Sequence, residues 1–229
     1  FIETHRHEPF FLYLPHTMPH MPLFRSEAFE GRSRAGVYGD VIEEIDWAVG
    51  QVISALDRLS LSRQTLVVFT SDNGPWTSFK THGGSAGPLR HGKGTTFEGG
   101  MRVPGIFRWP ETITPGVTQA IGSAMDLFTT TVTIAGGQVP ANRPIDGLDL
   151  SPVLFEAGPS PRTIMAYYRM GELYAFRLDS YKAHFVTEGR YGLSPERTAH
   201  DPPLLFNLDV DPSERYNVAP TQPDRLATV

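Results

Sequence analysis

The chain has 229 residues and a formal net charge of -5, a balance that argues against a nucleic-acid groove, which needs a basic surface. No apolar run approaches the roughly 20 residues of a membrane helix. Cysteine is absent, which excludes disulfides, thiolate metal sites and a Cys nucleophile within these residues and leaves the cellular compartment open. At 40% hydrophobic and 20% charged residues the composition is ordinary for a globular protein, large enough for one domain or for one with a small partner. The chain begins without Met and without a signal-peptide pattern, and it reads as a segment of a longer protein.

Phe10 to Leu14, "FFLYL", predicts a short, fully buried strand. Pro15, Pro19 and Pro22 then force an extended, irregular loop. From about Val37 to Leu59 the period is helical, with Ile42, Ile45, Val49, Val52, Ile53 and Leu56 on one face and Glu43 and Glu44 on a solvated one. Leu66 to Phe69 is a second apolar strand. Strand, helix and strand in that order predict a βαβ unit of a parallel sheet.

Residues 71–101 hold eight glycines and no long apolar run, the texture of a long functional loop. Val103 to Trp109 is a further strand, and Ala124 to Ala135 a helix capped by Ser123 and stopped by Gly136 and Gly137. A Pro/Gly-rich connection, 139–161, separates this half (1–138) from a run of short strands at 162–229. Among them "LYAFRL" and "YKAHFV", joined at Asp179 and Ser180, predict a hairpin, and "LLFNLDV" another strand. The expected class is α/β, followed by a small antiparallel α+β subdomain.

Asp72 and Asn73 follow the strand that ends at Phe69, and ligands of open α/β sheets bind beyond strand carboxyl ends. A carboxylate and an amide oxygen suit Ca²⁺ or Mg²⁺; the same letters also suit an Asx turn. Lys93 sits in the glycine-rich stretch Gly83 to Gly100, where backbone can approach an anion closely and an ammonium adds charge. The stretch is no P-loop: Gly94 stands where Ser or Thr is needed, and no strand leads into it. His16 and His20 lie in the loop after the first strand, able to ligate metal when neutral or act as acid when protonated, or to be ordinary surface residues. His91 and His200 carry the same two readings; the histidines at 5, 7, 82 and 184 form no evident constellation. There is no Gly-x-Ser-x-Gly nucleophile elbow and no His-Glu-x-x-His zinc motif.

In combination, "PFFLYLPHTMPHMPLF", "TLVVFTSDNGPW", "LRHGKGTTFEGGMRVPGIFRWP", "DGLDLSPVL", "KAHFV" and "PPLLFNLDVDPSERYNVA" resemble the second half of a sulfatase of the arylsulfatase group. The resemblance covers nearly the whole chain. It implies an alkaline-phosphatase-like, mostly parallel sheet flanked by helices in the first half. It implies that Asp72 and Asn73 are two ligands of a divalent cation, usually Ca²⁺ with Mg²⁺ or Mn²⁺ as alternatives. Lys93 matches the lysine that contacts the sulfate group, and His20 the histidine that contacts the leaving-group oxygen. His200 falls where some relatives place a further substrate-contacting histidine, and His91 where some carry Cys.

The substrate so implied is a small-molecule or glycan sulfate ester, in a periplasmic, secreted or lysosomal-type compartment. Relatives carry upstream a Cys- or Ser-x-Pro-x-Arg motif whose first residue becomes formylglycine, an early acidic pair for the metal, and a Lys-x-His. No Cys- or Ser-x-Pro-x-Arg motif is found here, so the segment alone is expected to be inactive. Two alternatives stand beside this reading. One is a phosphodiesterase or phosphonate monoester hydrolase of the same superfamily. The other is a non-catalytic relative that binds sulfated ligands.

Overall fold

A computed structural model describes residues 1–229. Helix α1 spans Gly36–Arg58. It starts where Asp40, almost fully buried, gathers the loop before it: its carboxylate accepts from Gly31 N at 2.9 Å and Ser33 N at 2.8 Å and meets Arg25 Nε at 3.2 Å. The helix buries Val41 and Leu56, whereas Ile42 is 40% exposed. Glu44 is engaged rather than merely solvated, accepting from Ser26 N at 2.8 Å.

Strand β1, Val67–Thr70, pairs antiparallel with β2, Gly105–Arg108. The expected parallel βαβ unit is therefore not formed within this chain. Phe10 to Leu14 are not a strand either, and Phe11 and Tyr13 stand 77% and 76% exposed. A strand needs a hydrogen-bonding neighbour as well as apolar side chains, and no segment of these residues lies alongside to complete the ladder. The α/β class itself stands. Trp109 Nε1 donates to Arg63 O at 2.8 Å and pins the end of β2 beside the turn that follows α1.

Residues 71–101 carry only a 3₁₀ segment, Thr77–His82, and one short helix, α2, Glu98–Met101. Helix α3, Ala124–Ile134, opens with the predicted Ser123 cap, completed as a capping box by Asp126. Fully buried Asp126 does more than cap. It accepts from Leu148 N at 2.8 Å and from the Arg162 guanidinium, whose Nη2 also donates to Asp146 O at 2.8 Å. That clamp fastens the Pro/Gly-rich connection to α3. The connection also holds a helix not expected from its composition, α4, Ser151–Glu156, which has Pro in its first turn.

The C-terminal part is a four-stranded antiparallel meander, β3 (Ile164–Arg169), β4 (Glu172–Leu178), β5 (Tyr181–Thr187) and β6 (Thr198–Asn207), in sequence order. Helix α5, Pro223–Thr228, closes the chain. Strand β5 is buried on both faces. Ala183 joins Leu205 and Ala219 in an apolar cluster, while Lys182 and His184 point the other way.

The second face meets α2 through buried charge. Lys182 Nζ lies 2.9 Å from Glu98 Oε1, 3.1 Å from Glu214 Oε1 and 2.7 Å from Thr96 O. His184 Nε2 meets Glu214 Oε1 at 2.7 Å, and Glu214 Oε2 accepts from Glu98 N at 2.6 Å. Burial pushes the Glu214 carboxyl up, but the Lys182 ammonium and the His184 hydrogen bond outweigh it and bring it to about 2. Burial also pushes the His184 imidazole below its ordinary value, so it is neutral and donates Nε2–H to the carboxylate.

Removing the ammonium while keeping the carboxylates leaves buried charge with too little compensation. Lys182→Met is expected to cost about 3–5 kcal/mol, read as a shift in denaturation midpoint. Both titrations act in one direction. His184 binds a proton more readily unfolded, so stability declines as pH falls below 6.5. The Glu214 contribution is complete above 4.5 and is lost as pH falls towards about 2. Glu214→Gln should flatten the lower limb of that profile.

Candidate functional site

The turn after β1 and the loop around Lys93 touch backbone to backbone. Gly74 N donates to Gly100 O at 3.0 Å and Lys93 N donates to Pro75 O at 2.8 Å, while within the loop Gly99 N donates to Arg90 O at 2.8 Å. Such contacts require the missing side chains. A Cβ on Gly74 would lie 1.8 Å from Gly99 O, and one on Gly92 2.2 Å from Pro75 O. The glycines thus place Asp72, Asn73 and Lys93 in one rigid unit, although the stretch has little regular structure.

Trp76 is the hub of that unit. Lys93 Nζ sits 5.0 Å from the centre of its ring and the His20 ring 5.5 Å away. Phe79 packs edge-on at 4.7 Å, and Tyr191 approaches at 4.7 Å from the loop between β5 and β6. His20 Nδ1 is 2.7 Å from Met21 O. A carbonyl only accepts, so Nδ1 carries the proton there and Nε2 is left free for a ligand.

Asp72 is exposed and its carboxylate has no hydrogen-bond partner. Asn73 uses its amide nitrogen on Gly74 O at 3.0 Å, which leaves Oδ1 unengaged. Two hard oxygen donors on one turn fit Ca²⁺ or Mg²⁺ in kind. They are not a full coordination shell, and no cluster of three or more His, Asp or Glu residues able to hold a metal occurs in the chain.

Of the sequence-predicted residues, His20 and Lys93 are brought together on Trp76, with Asp72 and Asn73 on the turn leading into it. His200 stands apart on β6, its Nε2 2.8 Å from Thr187 Oγ1. His16 lines a groove against α1 together with Met18, Phe24 and Trp47. His91 stacks on Phe97 at 4.7 Å, and burial lowers its pKa; it belongs to the packing beneath the loop. Sequence reasoning missed Tyr191 and the buried set Lys182, His184, Glu98 and Glu214. Gly189 and Gly192 flanking "RY" were the only local signal for the first.

Residues 1–137 match the Sulfatase family, and residues 160–229 match the C-terminal region of aryl-sulfatase. The chain belongs to the sulfatase family. It is 44% identical over 229 residues to Bos taurus arylsulfatase A, covering 93% of this chain and 45% of that protein. It is also 44% identical to Sus scrofa N-acetylgalactosamine-6-sulfatase, covering 92% and 44%. The chain thus spans a little under half the length of these sulfatases. Among solved structures, the PsFucS1 sulfatase from Pseudoalteromonas sp. superposes with a TM-score of 0.83 at 29% identity, over 91% of this chain and 44% of that one. Ps i-CgsB, solved in complex with k-i-k-neocarrahexaose, gives 0.81 at 28% identity, over 99% and 50%.

The glycine contacts make a direct prediction. Gly74→Ala forces backbone apart in a packed site, where overpacking costs about 1–3 kcal/mol. The lowered denaturation midpoint should be larger than for Gly116→Ala, where a Cβ meets nothing within 4 Å.

Proposed function

We propose that this chain supplies the metal-and-leaving-group side of a sulfatase active site, part of a protein that hydrolyses sulfate monoesters. The observation that carries the reading is the convergence of His20 and Lys93 on Trp76, three residues after Asn73. Asp72 and Asn73 would hold a divalent cation, Ca²⁺ first, with Mg²⁺ or Mn²⁺ as alternatives. When bound, that ion supplies positive charge to the sulfuryl oxygens.

Lys93 adds a second positive charge beside it. Its ammonium nitrogen lies over the Trp76 ring and its backbone N–H donates to Pro75 O, so the charge is positioned without a large ordering cost. S–O cleavage builds negative charge on the departing oxygen. His20, protonated and donating from Nε2, stabilises that oxygen and delivers its proton. His200 is a lesser candidate for contact with the substrate.

The nucleophile, expected to be a formylglycine, and the remaining metal ligands lie outside these residues. The 229 residues alone are therefore proposed to release no sulfate. The superfamily alternative, a phosphonate monoester hydrolase such as the one from Silicibacter pomeroyi, shares the fold at 23% identity; no residue of the site favours it.

The test is kinetic, in the full-length protein. Lys93→Ala should lower turnover of an aryl sulfate about 10²–10³-fold, the usual effect of removing one electrostatic contact to the transition state. Near-wild-type turnover in that variant would sink the assignment of Lys93. Faster hydrolysis of an aryl phosphonate than of the aryl sulfate would move the protein to the alternative class. Sulfate release from the isolated segment would overturn the claim that it is incomplete.

A further inference from the structure

The loop between β5 and β6 leaves the C-terminal meander and comes down on the residue next to Lys93. A Cβ on Gly94 would lie 2.7 Å from Arg190 Cγ and 3.2 Å from Tyr191 Cε2. Gly94 itself is left-handed at φ 84, so its backbone and its missing side chain both make room for this loop. Tyr191 also adopts a left-handed backbone, at φ 54. That conformation is uncommon for a bulky aromatic residue, and such outliers gather at ligand-binding positions.

The outcome is a tyrosine ring tilted 47° to Trp76, with centroids 4.7 Å apart, that keeps 44% of its surface exposed. Phe79, edge-on to Trp76 at 4.7 Å, is 40% exposed. An exposed aromatic side chain held at that cost in backbone energy, beside the lysine that faces sulfate, has a surface left to offer a ligand.

Resting on the sulfatase reading above, we propose that Tyr191, backed by Trp76, forms the wall that seats the leaving group. It selects sulfate esters whose leaving group is a ring with a flat apolar face over esters of flexible alkyl chains. A ring lies on the phenol face with few bonds to freeze, whereas an alkyl chain must lose rotamer freedom to make the same contact. A phenyl ring and the apolar face of a pyranose share this chemistry. The anionic head is held by Lys93, so the wall acts on the alcohol part alone.

The experiment uses the full-length protein and variants Tyr191→Ala and Tyr191→Phe. Values of kcat/KM are compared for a phenyl, a pyranose 6-O- and a straight-chain alkyl sulfate. Binding of benzenesulfonate and butanesulfonate, which are not hydrolysed, is measured by calorimetry. The expected result is that Tyr191→Ala cuts the ring-over-alkyl preference about 3- to 10-fold, the scale of one aromatic contact. Tyr191→Phe should keep it, and the loss should appear in KM more than in kcat. Whichever ring ester loses more identifies the kind of ring the wall takes.

An unchanged ring-over-alkyl ratio, or an equal fall for all esters, overturns the proposal even if the protein proves a sulfatase. A protein that hydrolyses no sulfate yet binds benzenesulfonate over butanesulfonate, with the preference lost in Tyr191→Ala, keeps the wall while the sulfatase reading fails. Equal binding of the two sulfonates by the wild-type protein also overturns it.

Discussion

Lys182 is fully buried between two carboxylates, and that contact seats the C-terminal meander against the stretch that bears Lys93. Taking an ammonium and two carboxylates out of water costs several kcal/mol for each ion. The cost is offset because the charges nearly balance, with Arg177 Nη1 3.9 Å from the second oxygen of Glu98. Every member also has hydrogen-bonding partners: Thr96 O for Lys182, and His184 and Glu98 N for Glu214. An apolar patch of the same area would hold the two parts together as strongly, but it would accept neighbouring registers. The ionic set does not. Lys182 and His184 are alternate residues of β5, so a slip of one position turns both to the opposite face and strands the carboxylates.

From that fixed register the contact reaches the site by a short covalent and packing path. Glu98 opens α2, and Phe97 before it lies between the His91 and His184 rings at 4.7 and 5.0 Å. Arg90 covers the Phe97 ring at 4.3 Å and donates Nη1 to Glu214 O at 2.9 Å. The stretch bearing Lys93 is therefore gripped on one side by the C-terminal meander. On the other side Gly74 and Gly92 let it press against the turn after β1. A loop with almost no regular structure becomes rigid because its backbone donors and carbonyls are used across the contact rather than within an element.

These two grips explain which features were legible in the sequence and which were not. Periodicity revealed α1, α3 and the strands of the meander, because each has a local repeat or cap. Spacing and turn letters marked Asp72, Asn73 and Lys93 as candidates, yet they also suited a plain turn and a plain loop; only family resemblance separated the readings. Phe10 to Leu14 failed as a strand because apolar letters report burial and not the identity of the partner that supplies the ladder. Lys182, Glu98, Glu214 and His184 were passed over because charged letters read as surface residues until a long-range contact pairs them. Tyr191 had only its flanking glycines to mark it, because its neighbour Gly94 is far off in sequence and adjacent only once the chain is folded.

The C-terminal meander is consequently more than an appendage to the α/β part. Two buried ion pairs cross between them, Arg162 with Asp126 near the connection and Lys182 with Glu98 near the site. The first fixes where the meander begins, and the second fixes how it is turned. With both in place, the loop that follows β5 has one landing place, on Gly94. The Tyr191 ring set down there packs on Trp76 at 4.7 Å, so the meander also reaches the indole on which Lys93 and His20 meet.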